Sequence, residues 1–156
     1  YSTGWLDGVG YSYSANLLTN SRVLSGVLFD FGPADQIDAI GCAGQEVMLP
    51  QGQYSSLMFL ATGIQGNQVS QTFTVHYTDT TTPFAQSLSD WYTPQTYPGE
   101  SEAVAMAYRN FDDGTKDNRT FNLYCYRLAI DSGKTVQSVS LPNNPNVVVL
   151  AITLVP

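Results

Sequence analysis

Apolar and polar residues alternate along much of this chain with the period of two that is typical of β-strands. The clearest case is a threonine-rich segment in which Phe73, Val75 and Tyr77 alternate with polar residues that include His76. This pattern predicts a strand with one core face and one wet face. The segment 54–61 is almost continuously apolar, which favours a strand buried on both faces, with a helix as the alternative.

Gly and Pro interrupt the chain so often that no segment keeps helical spacing for more than about ten residues. Pro50 is expected to end one strand, and the turn 79–83 is expected to precede another. About nine or ten strands without crossover helices predict an all-β fold, an antiparallel β-sandwich of the jelly-roll type. We expect one domain over 1–156, with further strands at 11–15, 23–29, 46–49, 84–89, 102–108, 120–130, 134–141 and 147–155.

Charged residues make up only 12% of the chain, and the formal net charge is −7. An acidic surface repels phosphate backbones and anionic lipids, so neither nucleic acid nor a membrane is an expected partner. The longest apolar runs, such as 147–152, are too short to cross a bilayer. Few charges together with many Tyr, Thr, Ser, Asn and Gln residues are typical of extracellular β modules, so we expect a secreted protein.

Cys42 and Cys125 are the only cysteines, and their spacing fits neither a metal site nor a redox pair. In a secreted protein a disulfide between them is favoured slightly, because a sandwich brings distant strands together. Two buried free thiols are the alternative.

The segment 87–100 is the clearest candidate for a binding loop. Its prolines and Gly99 favour a shaped loop over continued sheet pairing. Trp91, Tyr92 and Tyr97 supply flat apolar rings there, and Asp90 supplies a carboxylate. This mixture suits an amphipathic ligand. The alternative for Trp91 is that it fills the end of the core.

Two further groups extend this candidate site. Arg109 and Asn110, which leave a strand together, are expected to donate hydrogen bonds to ligand hydroxyls. Arg109 is alternatively a salt-bridge partner of Asp90 or Glu100. A second set of rings lies near the amino-terminal turn: Trp5, Tyr11 and Tyr13.

The sequence lacks the residue patterns that most catalytic mechanisms require. His76 is the only histidine, and neither a Gly-x-Ser-x-Gly elbow nor a phosphate-binding loop is present. A glycosidase needs two carboxylates across a cleft, and Asp90 with Glu100 or Glu102 meets that need by residue type alone. Solvated loop acids are the simpler interpretation.

A structural calcium ion is the one metal that the composition leaves open. Asp112, Asp113 and Asp117 crowd one turn, and other loops offer Asp7, Asp35 and Asp38. Carboxylate oxygens are the ligands that calcium prefers. No calcium-loop pattern is matched, however, and Asp-Gly is an ordinary turn dipeptide.

Several short motifs together resemble a family of accessory β-sandwich domains, similar to galactose-binding-like carbohydrate-binding modules. They are 6–15, 26–29, 73–79, 89–92, 108–110 and 134–142. Such domains occur beside catalytic domains in secreted bacterial glycoside hydrolases. The resemblance implies a non-catalytic jelly roll with a neighbouring catalytic domain in a longer parent chain.

Three functions follow, in order of preference. The first is a non-catalytic carbohydrate-binding accessory module that holds a polysaccharide or glycan on its loop rings, without a cofactor. The second is a structural or interaction domain whose rings are core. The third is a small glycoside hydrolase.

Overall fold

The computed structural model describes residues 6–34 and 36–156. Trp5 and Asp35, predicted above as a ligand ring and a calcium ligand, lie outside the described residues. Within these ranges one four-residue helix, α1 (Ala15–Leu18), accompanies fourteen strands. The strands are β1 (Tyr11–Tyr13), β2 (Ser21–Leu24), β3 (Val27–Asp30), β4 (Ile40–Gly41), β5 (Glu46–Gly52), β6 (Ser56–Gly63), β7 (Gln68–Tyr77), β8 (Thr81–Leu88), β9 (Glu100–Met106), β10 (Arg109–Phe111), β11 (Lys116–Asp117), β12 (Phe121–Ala129), β13 (Val136–Ser140) and β14 (Val147–Val155).

Two antiparallel sheets form the sandwich. One has the strand order β4-β14-β6-β12-β9, and the other has the order β5-β13-β7-β8. Without β9, the eight strands β4 to β8 and β12 to β14 follow the jelly-roll order, in which the first strand pairs with the last and the second pairs with the last but one. The predicted all-β jelly-roll sandwich is therefore confirmed. β9 is an additional strand at the edge of the five-stranded sheet.

The main core lies between the two sheets. It takes Phe59 and Tyr126 from the five-stranded sheet and Phe73 and Val75 from the four-stranded sheet, all of them at most 1% exposed. The Phe59 ring lies 4.6 Å from the Phe73 ring and 5.2 Å from the Tyr126 ring. These inward-facing rings account for the period of two in the sequence.

The amino-terminal segment covers the outer face of the five-stranded sheet. Leu18 of α1 and Phe29 of β3 pack there against Met58, Leu60 and other residues of β6, β9 and β12. All eight residues of β6 are consequently buried. The prediction that this strand is buried on both faces is confirmed, and the helical alternative is wrong.

The expected disulfide does not form, and both cysteines are buried free thiols. Cys42 belongs to the core between the sheets, whereas Cys125 points to the opposite face of the five-stranded sheet. Cys42 also follows β4, three strand spacings from β12, which is about 14 Å at the usual inter-strand distance. Burial raises the pKa of Cys42 to about 12 and raises the pKa of Cys125.

Pro50 and Pro83 correct two predicted strand boundaries. β5 continues through Pro50 to Gly52, and β8 begins at Thr81, before Pro83. Both strands are edges of the four-stranded sheet. An edge strand tolerates proline because one side of its backbone needs no donor to a neighbouring strand.

Additional short strands explain why the count exceeds the nine or ten that were predicted. β10 and β11 form a small sheet with β1, and β2 pairs with β3. Among the described residues, no helix has the length and apolar character that crossing a bilayer requires.

Candidate functional site

The loop 89–99 joins the two sheets, and backbone hydrogen bonds fix its position. Gly63 donates from its backbone to Ser89 (2.8 Å), and Trp91 donates back to Gly63 (3.0 Å). On the other side, the Asn122 backbone donates to the Trp91 carbonyl (2.6 Å). The first residues of the loop thus pair with both β6 and β12, so the side chains they carry are held in fixed directions.

The Asp90 side chain helps to build this loop and is not free to meet a ligand. It is 7% exposed, and it accepts 2.8 Å hydrogen bonds from the backbone of Gly66 and of Tyr92. The Asp90 backbone in turn donates to Asn67 (2.8 Å). The prediction that Asp90 binds ligand hydroxyls is corrected, because backbone donors from the loop and from the β6–β7 connection satisfy both carboxylate oxygens.

Glu100 closes the other end of the same loop. Its carboxylate accepts hydrogen bonds from the Ser89 backbone (3.0 Å), the Ser89 hydroxyl (2.7 Å) and the Tyr126 phenol (2.7 Å). Tyr126 is fully buried. Burial raises the pKa of its phenol, and the hydrogen bond to Glu100 raises this pKa further. Asp90 and Glu100 therefore both stabilise the loop.

Trp91 is a core residue. Its side chain is 4% exposed, and its ring lies 5.5 Å from Tyr13 and 5.2 Å from Phe121. Tyr11, Tyr13, Trp91 and Phe121 form one group of rings, called here the aromatic cluster, at one end of the five-stranded sheet. The prediction that Trp91 presents its ring to a ligand is wrong, and its alternative role in the core is correct.

Arg109 lies inside the aromatic cluster. Its guanidinium carbon is 3.6 Å from the centre of the Tyr11 ring, 4.4 Å from that of Phe121 and 4.7 Å from that of Trp91. Its nitrogens contact Asp117 at 3.0 Å and Asp7 at 3.5 Å. With only 12% of the side chain exposed, Arg109 links β10 to its neighbours and does not reach a ligand. This corrects its predicted role and also its predicted partners, Asp90 and Glu100.

Asn110, the other predicted hydrogen-bonding partner, is 5% exposed. It is the middle residue of β10, which lies between β1 and β11. Because its side chain is buried, the role predicted for it at the ligand is corrected as well.

Tyr92 is 45% exposed, and its ring lies 5.7 Å from the Phe121 ring. It contributes to a cleft of about 580 Å³. The walls combine a ring, a carboxylate, a guanidinium, a hydroxyl and an amide, supplied by the loop, by β9, and by β12 with the two residues that precede it. The residues are Tyr92, Pro94, Glu102, Ala105, Arg119, Thr120 and Asn122.

The additional strand β9 creates the floor of this cleft. Ala105 pairs with Asn122, and Glu102 pairs with Tyr124, so these four residues share one face of the sheet. Tyr124 belongs to the core between the sheets. The cleft therefore lies on the inward face of the five-stranded sheet, at its β9 edge, where the 89–99 loop forms a wall.

Asp117 holds the Arg119 side chain beside Tyr92. Its Nε donates to one oxygen of Asp117 at 2.7 Å, and its Nη2 donates to the other. The guanidinium carbon lies 4.6 Å from the centre of the Tyr92 ring. The Arg119 and Arg109 guanidinium groups together hold the pKa of Asp117 below its ordinary value.

Tyr97 is half-buried in the same loop and is not among the residues that line the cleft. Its backbone carbonyl accepts a hydrogen bond from Glu100 (2.9 Å). Of the three rings predicted to hold a ligand, the structure therefore brings only Tyr92 to the cleft.

The three aspartates proposed for calcium have separate tasks. Asp113 accepts from the Thr115 backbone (2.8 Å) within the turn, Asp117 pairs with the two arginines, and Asp112 is exposed. In the part of the chain that the structure describes, no three acidic, histidine or cysteine side chains are grouped as metal ligands. The structure does not assemble the predicted calcium ligands.

A family model described as the AziU2-like beta-sandwich domain matches residues 1–156. The chain belongs to this family. No curated protein matches the chain. Family membership agrees with the sandwich seen here, and it carries no assignment of a ligand.

For this AziU2-like domain, sequence reasoning missed the roles of Arg119 and Asn122. Asn122 is the second residue of β12, and its side-chain amide donates to the Trp91 carbonyl at 3.2 Å. Glu102 was considered only as part of a hydrolase. The available signal was that Arg119 directly precedes the predicted strand at 120–130, but the pairing of that strand with β9 has no local signature.

Proposed function

We propose that this domain is a non-catalytic carbohydrate-binding module that holds a glycan in the Tyr92 cleft. The observation that carries the proposal is the half-exposed Tyr92 ring in the wall of a cleft that is lined by both apolar and polar groups. A sugar presents apolar C–H faces and hydroxyl edges, so it needs a ring for the former and hydrogen-bonding groups for the latter. The walls of the cleft offer both.

The rigidity of the loop supports this proposal. Tyr92 follows two residues whose backbones pair with β6 and β12, and its own amide is held by Asp90. A preorganised ring costs little entropy when a ligand binds. Binding therefore does not require the loop to reorganise.

The distribution of carboxylates supports a role without catalysis. Glycoside hydrolysis needs two carboxyl groups that face one another across the bond to be broken. Asp90 and Glu100 each accept hydrogen bonds from the loop, and Glu102 is the one carboxylate among the residues that line the cleft. Secretion and a neighbouring catalytic domain in the parent chain belong to the same proposal, through the resemblance described above.

A structural or interaction domain without a sugar ligand is the second candidate. The observation that favours it is the burial of Trp91, since that ring serves the core and not a surface platform. The two candidates differ in what they predict for the adjacent Tyr92.

A glycan array probed with the wild type, Tyr92→Ala and Tyr97→Ala distinguishes them. The carbohydrate-binding proposal predicts array signal that Tyr92→Ala weakens by about tenfold, equivalent to about 1.4 kcal/mol. Tyr97→Ala, a matched change in the same loop but outside the cleft, is expected to bind like the wild type. Absence of signal in the wild type, or equal binding by Tyr92→Ala, would overturn the proposal.

A further inference from the structure

The two charged groups on the walls of the cleft differ, because one is neutralised by an ion pair and the other is not. Glu102 and Arg119 are the two charged residues among those that line it. The Arg119 guanidinium donates to both oxygens of Asp117, so its positive charge is already matched by a bidentate carboxylate.

The second ion-pair partner of Asp117 does not change this balance of charge. Arg109 also contacts Asp117, and it has a carboxylate of its own in Asp7. Two guanidinium groups therefore face two carboxylates beneath the cleft, and this network contributes no net charge to it.

Glu102 has no such partner. It is exposed on β9, and none of the lysine, arginine or histidine nitrogens in the described ranges lies within the 4.0 Å salt-bridge distance of its carboxylate. The cleft thus presents an unmatched negative charge in a chain whose net charge is −7.

Resting on the proposed function, we infer that the cleft selects glycans that carry protonated amines and disfavours glycans that carry carboxylates. An ammonium group is attracted by the exposed Glu102 carboxylate, which has no ion-pair partner in the described ranges. A uronic acid meets the same carboxylate as a like charge, while the Arg119 charge that would attract it is engaged by Asp117. Glu102 is then the residue that determines specificity.

Calorimetric titration with three soluble oligosaccharides of equal length tests this inference. They are the β-1,4-linked oligomers of glucosamine and of N-acetylglucosamine and the α-1,4-linked oligomer of galacturonate. The titrations are made at about pH 5.5, where sugar amines are protonated and ordinary carboxyl groups are ionised. Wild type, Glu102→Gln and Asp30→Asn are compared. Asp30 is an exposed acid on β3, so its substitution removes the same charge from the layer that covers the other face of the sheet.

The glucosamine oligomer is expected to bind about two- to fivefold more tightly than the neutral oligomer, the range of a partly exposed ion pair. The galacturonate oligomer is expected to bind more weakly than both. Glu102→Gln should remove the preference for the amine, so that the glucosamine and neutral oligomers bind alike, while Asp30→Asn should keep the preference. Added salt should weaken only the binding of the amine.

Two results overturn the inference and separate it from the proposed function. If the three oligomers bind equally, or if Glu102→Gln keeps the preference, the charge selection is wrong while glycan binding stands. If the wild type binds none of them and also none of the glycans on the array, both the inference and the proposed function fail.

Discussion

The adjacent residues Trp91 and Tyr92 should respond in opposite ways to truncation. Trp91→Ala removes a 4% exposed ring from contact with Tyr13 and Phe121 and from the guanidinium of Arg109. Replacing a buried aromatic ring with alanine typically costs about 3 to 5 kcal/mol. Tyr92→Ala removes a ring that is 45% exposed, so we expect a loss of about 1 kcal/mol.

Urea unfolding followed by circular dichroism measures both changes. At a slope of about 2 kcal/mol per molar, a loss of about 4 kcal/mol lowers the midpoint by about 2 M. Trp91→Phe keeps a ring in the aromatic cluster and should give a smaller loss, so the comparison survives if Trp91→Ala fails to fold. Equal midpoint shifts for Trp91→Ala and Tyr92→Ala would refute the assignment of Trp91 to the core.

Three further changes test other parts of the structure. Glu100→Ala should destabilise the fold by about 1 to 3 kcal/mol, because the buried Tyr126 phenol loses its acceptor, and Glu100→Gln should cost less; thermal unfolding compares the two. The pKa of Asp117 is lowered by Arg119 and Arg109, so its ion pairs stabilise the fold above about pH 4 and this contribution is lost at lower pH. Asp117→Asn should flatten that acid limb in unfolding curves measured from about pH 2 to pH 7, and an unchanged limb would count against the network. Both buried cysteines should react with a thiol reagent at about pH 8 only after unfolding, and rapid labelling of the native protein would contradict their burial.

Sequence periodicity predicted the strands best where packing is uniform on each face. β14 begins and ends where its apolar run does, at Val147 and Val155, and β7 buries Phe73 and its alternate neighbours as predicted. The strand boundaries predicted at Pro50 and Pro83 were wrong, because the tolerance of a strand for proline depends on whether that strand is an edge. The order of strands in a sheet is a long-range property that local pattern does not encode.

The site was less predictable than the fold for the same reason. In a loop, neighbouring side chains have no fixed alternation, so the burial of Trp91 and the exposure of Tyr92 depend on pairing with β6 and β12. Arg109 was a candidate hydrogen-bond donor because of its residue type, but its guanidinium forms salt bridges with Asp7 and Asp117. Residue type therefore singled out the loop as a candidate, whereas tertiary contacts decided which of its groups face solvent.

The most direct test of the central claim is a nuclear magnetic resonance titration of the isotopically labelled domain with a glycan taken from the array. The account predicts that amide shifts concentrate at Tyr92, Glu102 and Arg119 and are small in β5 and the β2–β3 hairpin. Tyr92→Ala should abolish those shifts while the remaining spectrum stays folded. Shifts centred elsewhere on the sandwich, or their persistence in Tyr92→Ala, would contradict a binding site in the cleft.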